Sequence, residues 1–177
     1  MRRLLVVVDY QNDFITGSLG FKKALAIKPV ILNLVKEFHQ EKSQIIFTKD
    51  THDADYLNTE EGRHLPIIHC VTGTKGIELE EELLALVLKD DLIYDKNTFG
   101  SAQLYHHLSV NHYDEIVFCG IVTNICVLAN AILAKTASKE SKITIIKNGV
   151  ASNSDELDSA TLKIFESLGM DVQVYGY

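Results

Sequence analysis

The stretch Leu4-Leu5-Val6-Val7-Val8, running into Asp9-Tyr10-Gln11-Asn12-Asp13-Phe14, decides how the rest of the chain is read. An unbroken apolar run rich in valine offers both faces of a strand to apolar neighbours, as a central strand of a parallel sheet does. Shorter apolar, β-branched runs return at residues 45–48, 91–94, 115–119, 143–146 and 172–174. Between them lie stretches of helical periodicity at 27–40, 78–88, 103–110, 124–138 and 156–168. In the first of these, Ile27, Val30, Ile31, Leu34, Val35 and Phe38 fall on one stripe. Strands alternating with helices predict right-handed crossovers and a mostly parallel sheet covered on both sides, a three-layer α/β architecture. Only two prolines interrupt the chain, and no repeat or low-complexity stretch marks a boundary, so residues 1–177 read as a single domain. Residues 51–75 differ: they are polar, rich in Asp, His and Gly, and follow no period. A loop of that length in a compact domain is usually functional or mobile.

Composition narrows the class. With 46% apolar and 23% charged residues the chain is ordinary globular protein, able to bury a large core. Seventeen basic against 24 acidic residues give a net charge of −7, and no Lys/Arg run occurs, so neither nucleic acid nor an anionic membrane surface is an expected partner. The apolar runs are too short to span a bilayer, and Met1-Arg2-Arg3 leads into a run shorter than a secretory signal requires. Three cysteines, Cys70, Cys119 and Cys126, make no disulfide framework, which predicts a reducing, cytoplasmic setting. Gly73-Thr74-Lys75-Gly76 lacks the spacing of a phosphate-binding loop, and no Gly-x-Gly-x-x-Gly follows the first strand, so no nucleotide cofactor is expected.

In an open parallel sheet, ligands bind beyond the carboxyl ends of the strands. The reactive side chains there are few: Asp9 after the first run, Lys49-Asp50-Thr51-His52 after the second, Lys96 after the third, and residues 120–126 after the fourth. Thr123 is a plausible N-cap, which places Cys126 in the first turn of the following helix, where the dipole and unpaired N–H groups favour a thiolate and could hold an oxyanion. Taken alone, a cysteine is more often a small buried apolar residue, the reading kept for Cys70 and Cys119. Asp9 at a strand end could accept the thiol proton, its affinity raised by partial burial, and Lys96 would stabilise both anions. The competing reading makes Asp9 and Asp13 turn formers and Lys96 a solvated surface residue.

The segments Val7-Val8-Asp9-Tyr10-Gln11-Asn12-Asp13-Phe14, Asp95-Lys96-Asn97-Thr98-Phe99-Gly100-Ser101 and Gly120-Ile121-Val122-Thr123-Asn124-Ile125-Cys126-Val127 together resemble the isochorismatase-like cysteine hydrolases, the superfamily that includes nicotinamidases and pyrazinamidases. The match runs over essentially the whole chain. The resemblance implies a six-stranded parallel sheet and a triad of Cys126 as nucleophile, Asp9 as general base and then acid, and Lys96 as electrostatic partner. It further implies a non-proline cis peptide at Ile121–Val122, with the N–H groups of Val122 and Cys126 forming an oxyanion hole. Nicotinamidase-like members carry a divalent metal on an Asp-x-His pair and a further histidine, and Asp50-Thr51-His52 and His69 look like those ligands, of types and spacing that suit zinc, manganese or iron. No histidine follows His52 within the next few residues, unlike the commonest pattern; Glu61 is the first substitute, with Asp55, Glu60 and His64 as competitors. The bland alternative is that Asp50 and His52 bond neighbouring backbone groups in a polar loop. Phe14 and Phe99 could wall a pocket for a flat heteroaromatic substrate or pack as core. His39, His106, His107 and His112 read as surface residues.

The expected function is hydrolysis of a small carboxamide, nicotinamide-like, through a thioester, with a small-molecule amide as partner and a homo-oligomer as the assembly. Two readings compete with it: vinyl-ether hydrolysis of the isochorismatase type, and a non-catalytic binding module on the same fold.

Overall fold

In a computed structural model, which describes residues 1–176, strands and helices alternate along the chain. Tyr177, the last residue of the span read as one domain, lies outside the described residues. The strands are β1 (Arg3–Val8), β2 (Gln44–Asp50), β3 (Leu92–Lys96), β4 (Glu115–Ile121), β5 (Lys142–Ala151) and β6 (Asp171–Gln173). They form one sheet in the order β3-β2-β1-β4-β5-β6, every neighbouring pair parallel. The helices are α1 (Asn12–Ile15), α2 (Lys22–Ala26), α3 (Lys28–Gln40), α4 (Glu60–His64), α5 (Glu81–Leu84), α6 (Ala102–Val110), α7 (Leu128–Ala137) and α8 (Asp155–Ser167).

β1 is central, and Leu4 through Val8 are fully buried, as its two-faced apolar sequence requires. Alternate residues feed two cores. Leu5 and Val7 face Ile31, Leu34, Val35 and Phe38 of α3. Leu4, Val6 and Val8 face Leu104 and Leu108 of α6, Ala131 and Ala134 of α7, and Phe165 of α8. The apolar stripe of α3 is thus spent against one face of the sheet, which is what a 3.6-residue period is for.

Several boundaries differ from the sequence reading. Helical periodicity at 78–88 is realised only at α5. Residues 78–80 instead pair in extended form with the segment after β1, through Asn12 N–H to Glu78 O, Glu80 N–H to Tyr10 O and a bridge between Gln11 and Leu79. The Glu80 side chain then caps α5 by accepting from Glu82 and Leu83. The short helix α2 carries no period long enough to be seen. β3 runs through Lys96, which is therefore the last residue of its strand rather than beyond it. β6 ends at Gln173, and Val174 is exposed. His39 and His107 are half-buried rather than surface groups. His39 pairs with Asp91 at 3.0 Å, and His107 bridges the hydroxyls of Tyr94 and Tyr113 at 3.1 and 2.8 Å.

Strand order reverses between β1 and β4: β2 and β3 lie to one side, β5 and β6 to the other. The crevice at the carboxyl ends of β1 and β4 is the switch point where such sheets bind ligands. One glycine allows the two strands to close there. Gly120 pairs with Val8, takes φ +114°, and a Cβ on it would stand 2.1 Å from the Val8 carbonyl oxygen.

Candidate active site

Asp9 follows β1 directly and is itself left-handed, with φ +48°, a conformation Asp tolerates better than most residues. Its N–H donates to Thr48 O, and its side chain is fully buried. Lys96 stands on the edge strand, two strand spacings away (roughly 10 Å), in register with Asp50 of β2. The long lysine stem spans this gap, so that Nζ reaches Asp9 Oδ2 at 2.7 Å and Asp50 Oδ1 at 3.4 Å. The same Nζ donates to Cys126 Sγ at 3.7 Å. One ammonium therefore touches a carboxylate and the sulfur, bringing Asp9, Lys96 and Cys126 together.

The turn that carries Cys126 is not the expected N-capped α-helix. After the cis Ile121–Val122 bond the chain makes a π-helical turn, Thr123–Val127, before α7 begins. Val122, extended, occupies the cap position, and Thr123 lies inside the turn with its hydroxyl buried and without a hydrogen-bond partner. Cys126 nonetheless sits in the first turn, nine-tenths buried. Asn130, one turn on, fastens it: Nδ2 donates to Cys126 O at 2.8 Å and Phe99 O at 3.1 Å, while Oδ1 accepts from Ser101 N at 2.9 Å. The loop after β3 and the turn that carries Cys126 are thereby held as one unit.

The expected thiolate is also corrected. Burial, followed by the charge of Asp9, holds the Cys126 thiol well above its ordinary value despite Lys96, so the resting group is the neutral thiol. Burial likewise pushes the Asp9 carboxyl up, opposed by Lys96. For Lys96, burial favours the neutral amine, but the carboxylates of Asp9 and Asp50 outweigh it and hold the ammonium. Asp9 Oδ1 accepts from the Thr48 hydroxyl at 2.6 Å, whereas Oδ2 has no partner at hydrogen-bonding angles despite its close ion pair with Lys96. A buried acceptor with spare capacity beside a protonated thiol is the arrangement a proton transfer needs.

Next to this group, Asp50, His52, Glu61 and His69 bring one ligand atom each to within 4.8 Å of one another. His52 and His69 contact Asp50 Oδ2 at 2.9 and 3.3 Å, and Glu61 Oε1 approaches the two rings at 3.8 and 4.0 Å. His69 Nδ1 bonds Ile67 O at 2.7 Å, which fixes the ring and leaves Nε2 facing the cluster. Burial pushes Asp50 towards the neutral form, yet hydrogen bonds from His52 and His69 and the charge of Lys96 hold it well below the usual carboxylate range. Two imidazoles and two carboxylates are a donor set that zinc, manganese or iron accepts. Glu61, from α4, completes the cluster; His64 is exposed, its ring bonded to Glu60 O, and Asp55 and Glu60 stay outside.

A cleft of about 830 Å³ opens beside both groups, bordered by His52, Tyr56, Glu61, Asn97, Phe99 and Ile125 among others. Phe99 is half-exposed on it. Phe14 is not on this cleft: it is buried in the α3-side core with its ring 5.5 Å from His69, so it supports the cluster rather than walling the cleft. Tyr56, which no pattern singled out, packs on both His52 and His69 at 4.5 and 4.9 Å between ring centres. Gln11 was missed as well. It is fully buried and grips Asp50 from both sides, donating to Asp50 O and accepting from Asp50 N at 2.8 Å each. Asp13 accepts from Cys70 N at 2.7 Å, tying the segment after β1 to the loop that carries His69.

Fold and site together define an α/β protein with a cysteine–lysine–aspartate group at the sheet's switch point. The isochorismatase domain family matches residues 3–173. The chain belongs to the isochorismatase family of hydrolases. The crystal structure of nicotinamidase/pyrazinamidase PncA from Bacillus subtilis superimposes with a TM-score of 0.87 at 30% identity, over 97% of this chain and 99% of that one. A nicotinamidase of Saccharomyces cerevisiae is 26% identical, over 75% of this chain and 81% of its own. A pyrazinamidase of Pyrococcus horikoshii, solved in complex with zinc, shares the fold with a TM-score of 0.85 at 23% identity, over 99% of this chain and all of that one. Among the described residues no helix is long and apolar enough to cross a membrane.

Proposed function

We propose that the chain is a cysteine amidohydrolase that cleaves a small carboxamide, with nicotinamide as the first substrate to test. The observation that carries this reading is the shared ammonium, Lys96 Nζ at 2.7 Å from Asp9 and 3.7 Å from the Cys126 sulfur, beside an open cleft. The nicotinamidase relatives support the substrate class.

Asp9 Oδ2 takes the proton of the Cys126 thiol as the sulfur attacks the amide carbonyl, so the ion pair with Lys96 persists until the proton moves. The N–H groups of Val122 and Cys126 hold the oxyanion of the tetrahedral intermediate. As the C–N bond breaks, Asp9 returns the proton to the departing ammonia and a thioester remains. Water then attacks the thioester, giving its proton to Asp9. The carboxylic product leaves, and the thiol is restored. A divalent ion held by Asp50, His52, Glu61 and His69 would supply a Lewis-acidic anchor for a ring nitrogen or a water at the cleft. Three free, buried cysteines support a reducing compartment, the cytoplasm.

Cys126→Ala tests the nucleophile. Ammonia release from nicotinamide is expected to fall on the order of 10⁴-fold or more, with the circular dichroism spectrum unchanged. Wild-type-like turnover by that variant would remove the assignment, and pyruvate release from isochorismate without ammonia release from any amide would favour the vinyl-ether reaction.

A further inference from the structure

The residues bordering the cleft include Asp53, Asp55, Glu60, Glu61, His52 and His64, and among them there is no lysine or arginine. Lys96, the ammonium of the neighbouring site, is already engaged by Asp9 and Asp50. Glu60 is paired with Arg63 and His64, and Glu61 belongs to the histidine cluster. Asp53 and Asp55 remain: both are exposed, and among the described residues neither side chain has an ion-pair partner. A divalent ion in the cluster would offset Asp50 and Glu61 and would leave these two charges standing.

We propose that Asp53 and Asp55 make the cleft a charge filter, which admits neutral and cationic carboxamides and turns away amides that carry a carboxylate. For its substrates the inference rests on the amidase reading; for its electrostatics it does not. An anion entering this cleft would meet two uncompensated negative charges and no lysine or arginine on its lining to pair with it. At about 8 Å, with an effective dielectric between protein and water, one unit charge changes the population of a charged visitor by about fivefold. Two such charges, partly screened by salt, amount to about tenfold. The same repulsion acts on the carboxylate that amide hydrolysis produces, so the product is expelled rather than retained.

Two measurements test this separately from catalysis. The first compares rates of Cys126 modification by a cationic (trimethylammonioethyl) and an anionic (sulfonatoethyl) methanethiosulfonate, each normalised to 2-mercaptoethanol and located by peptide mass spectrometry. In the native protein the cation is expected to be favoured by about tenfold at low ionic strength. The preference should collapse to within about twofold in Asp53→Asn/Asp55→Asn, and reverse in Asp53→Lys/Asp55→Lys. The second compares kcat/KM for benzamide, 3-(aminomethyl)benzamide and 3-carbamoylbenzoate, with the anionic substrate disfavoured in the native protein and recovered in the lysine variant. A reagent preference that the double variants leave unchanged overturns the filter. If the reagent preference behaves as stated while no amide releases ammonia, the filter stands and the amidase reading fails.

Discussion

Thr48 is fully buried beside Asp9, and its hydroxyl can give its proton only once. Donated to Oδ1 at 2.6 Å, it commits that oxygen to acceptance and leaves Oδ2 as the atom that faces Lys96 and, in the proposed mechanism, receives the thiol proton. The bond also favours the ionised carboxyl against the burial that pushes Asp9 up. The sign follows. Below its titration point Asp9 is protonated and cannot act as a base, so kcat/KM rises with pH through a value above the ordinary carboxylate range. Removing the Thr48 donor raises that value further. A hydrogen bond to a charged group contributes about 1.5–3 kcal/mol, or roughly one to two pH units. Thr48→Val is therefore expected to move the acid limb of the kcat/KM profile upward by about one unit and to lower kcat with KM little changed, and Thr48→Ser to restore both. An acid limb that stays in place in the valine variant would assign Thr48 to packing alone. At this scale the sequence was legible where a reactive side chain ends a strand or follows it closely, as for Asp9 and Lys96 at strand ends and Cys126 in the turn after β4. Thr48 and Gln11 were not legible, because their roles are set by partners 39 residues away in the chain. Nor was the protonation of Cys126: its place at a helix start argued for a thiolate, and burial, with the charge of Asp9, decided for the thiol.

At the level of elements, position depends on two close approaches. Gly120 lets β4 meet the end of β1, with the Val8 backbone where its side chain would be. Asn130 of α7 fastens the turn that carries Cys126 to the loop after β3. Gly120→Ala must both adopt φ +114° and displace backbone, which cannot rotate away as a side chain could. It is expected to cost about 3 kcal/mol or more, at the upper end for single substitutions, read from urea midpoints at constant m. A loss under about 1 kcal/mol would mean that β1 and β4 part easily. Periodicity recovered α3, α6 and α8 because each spends one apolar face on the sheet. It failed at 78–88, where hydrogen bonds to Tyr10 and Asn12 draw residues 78–80 out of any helix. It failed in a different way at Thr123, because an α-cap and a π-turn present the same residue types.

For the molecule as a whole, the sheet order places the carboxyl ends of β1, β2, β3 and β4 around one crevice, and it is this convergence that unites residues scattered from Asp9 to Cys126. The histidine–carboxylate cluster draws on β2, the long loop and α4, so an ion bound there would cross-link the least regular segment, residues 51–75, to the sheet. Asp50 and Glu61 stand near each other in the cluster, and the charge of Asp50 adds to burial in raising Glu61. Ligands that bind only the folded state stabilise it by mass action, by about 2.7 kcal/mol at a hundredfold excess over Kd. For a chain of this size that is roughly a 5–10 °C rise in Tm. Chelator-treated protein titrated with zinc, manganese or iron(II) is therefore expected to melt higher by that amount with at least one of the three. Glu61→Gln should lose part of the rise and His69→Ala nearly all of it, while His64→Ala, whose ring points away to Glu60, should keep it. Equal melting temperatures with and without all three ions would reduce the cluster to a hydrogen-bonded brace for the loop, and a rise that survives His69→Ala would place the ion elsewhere.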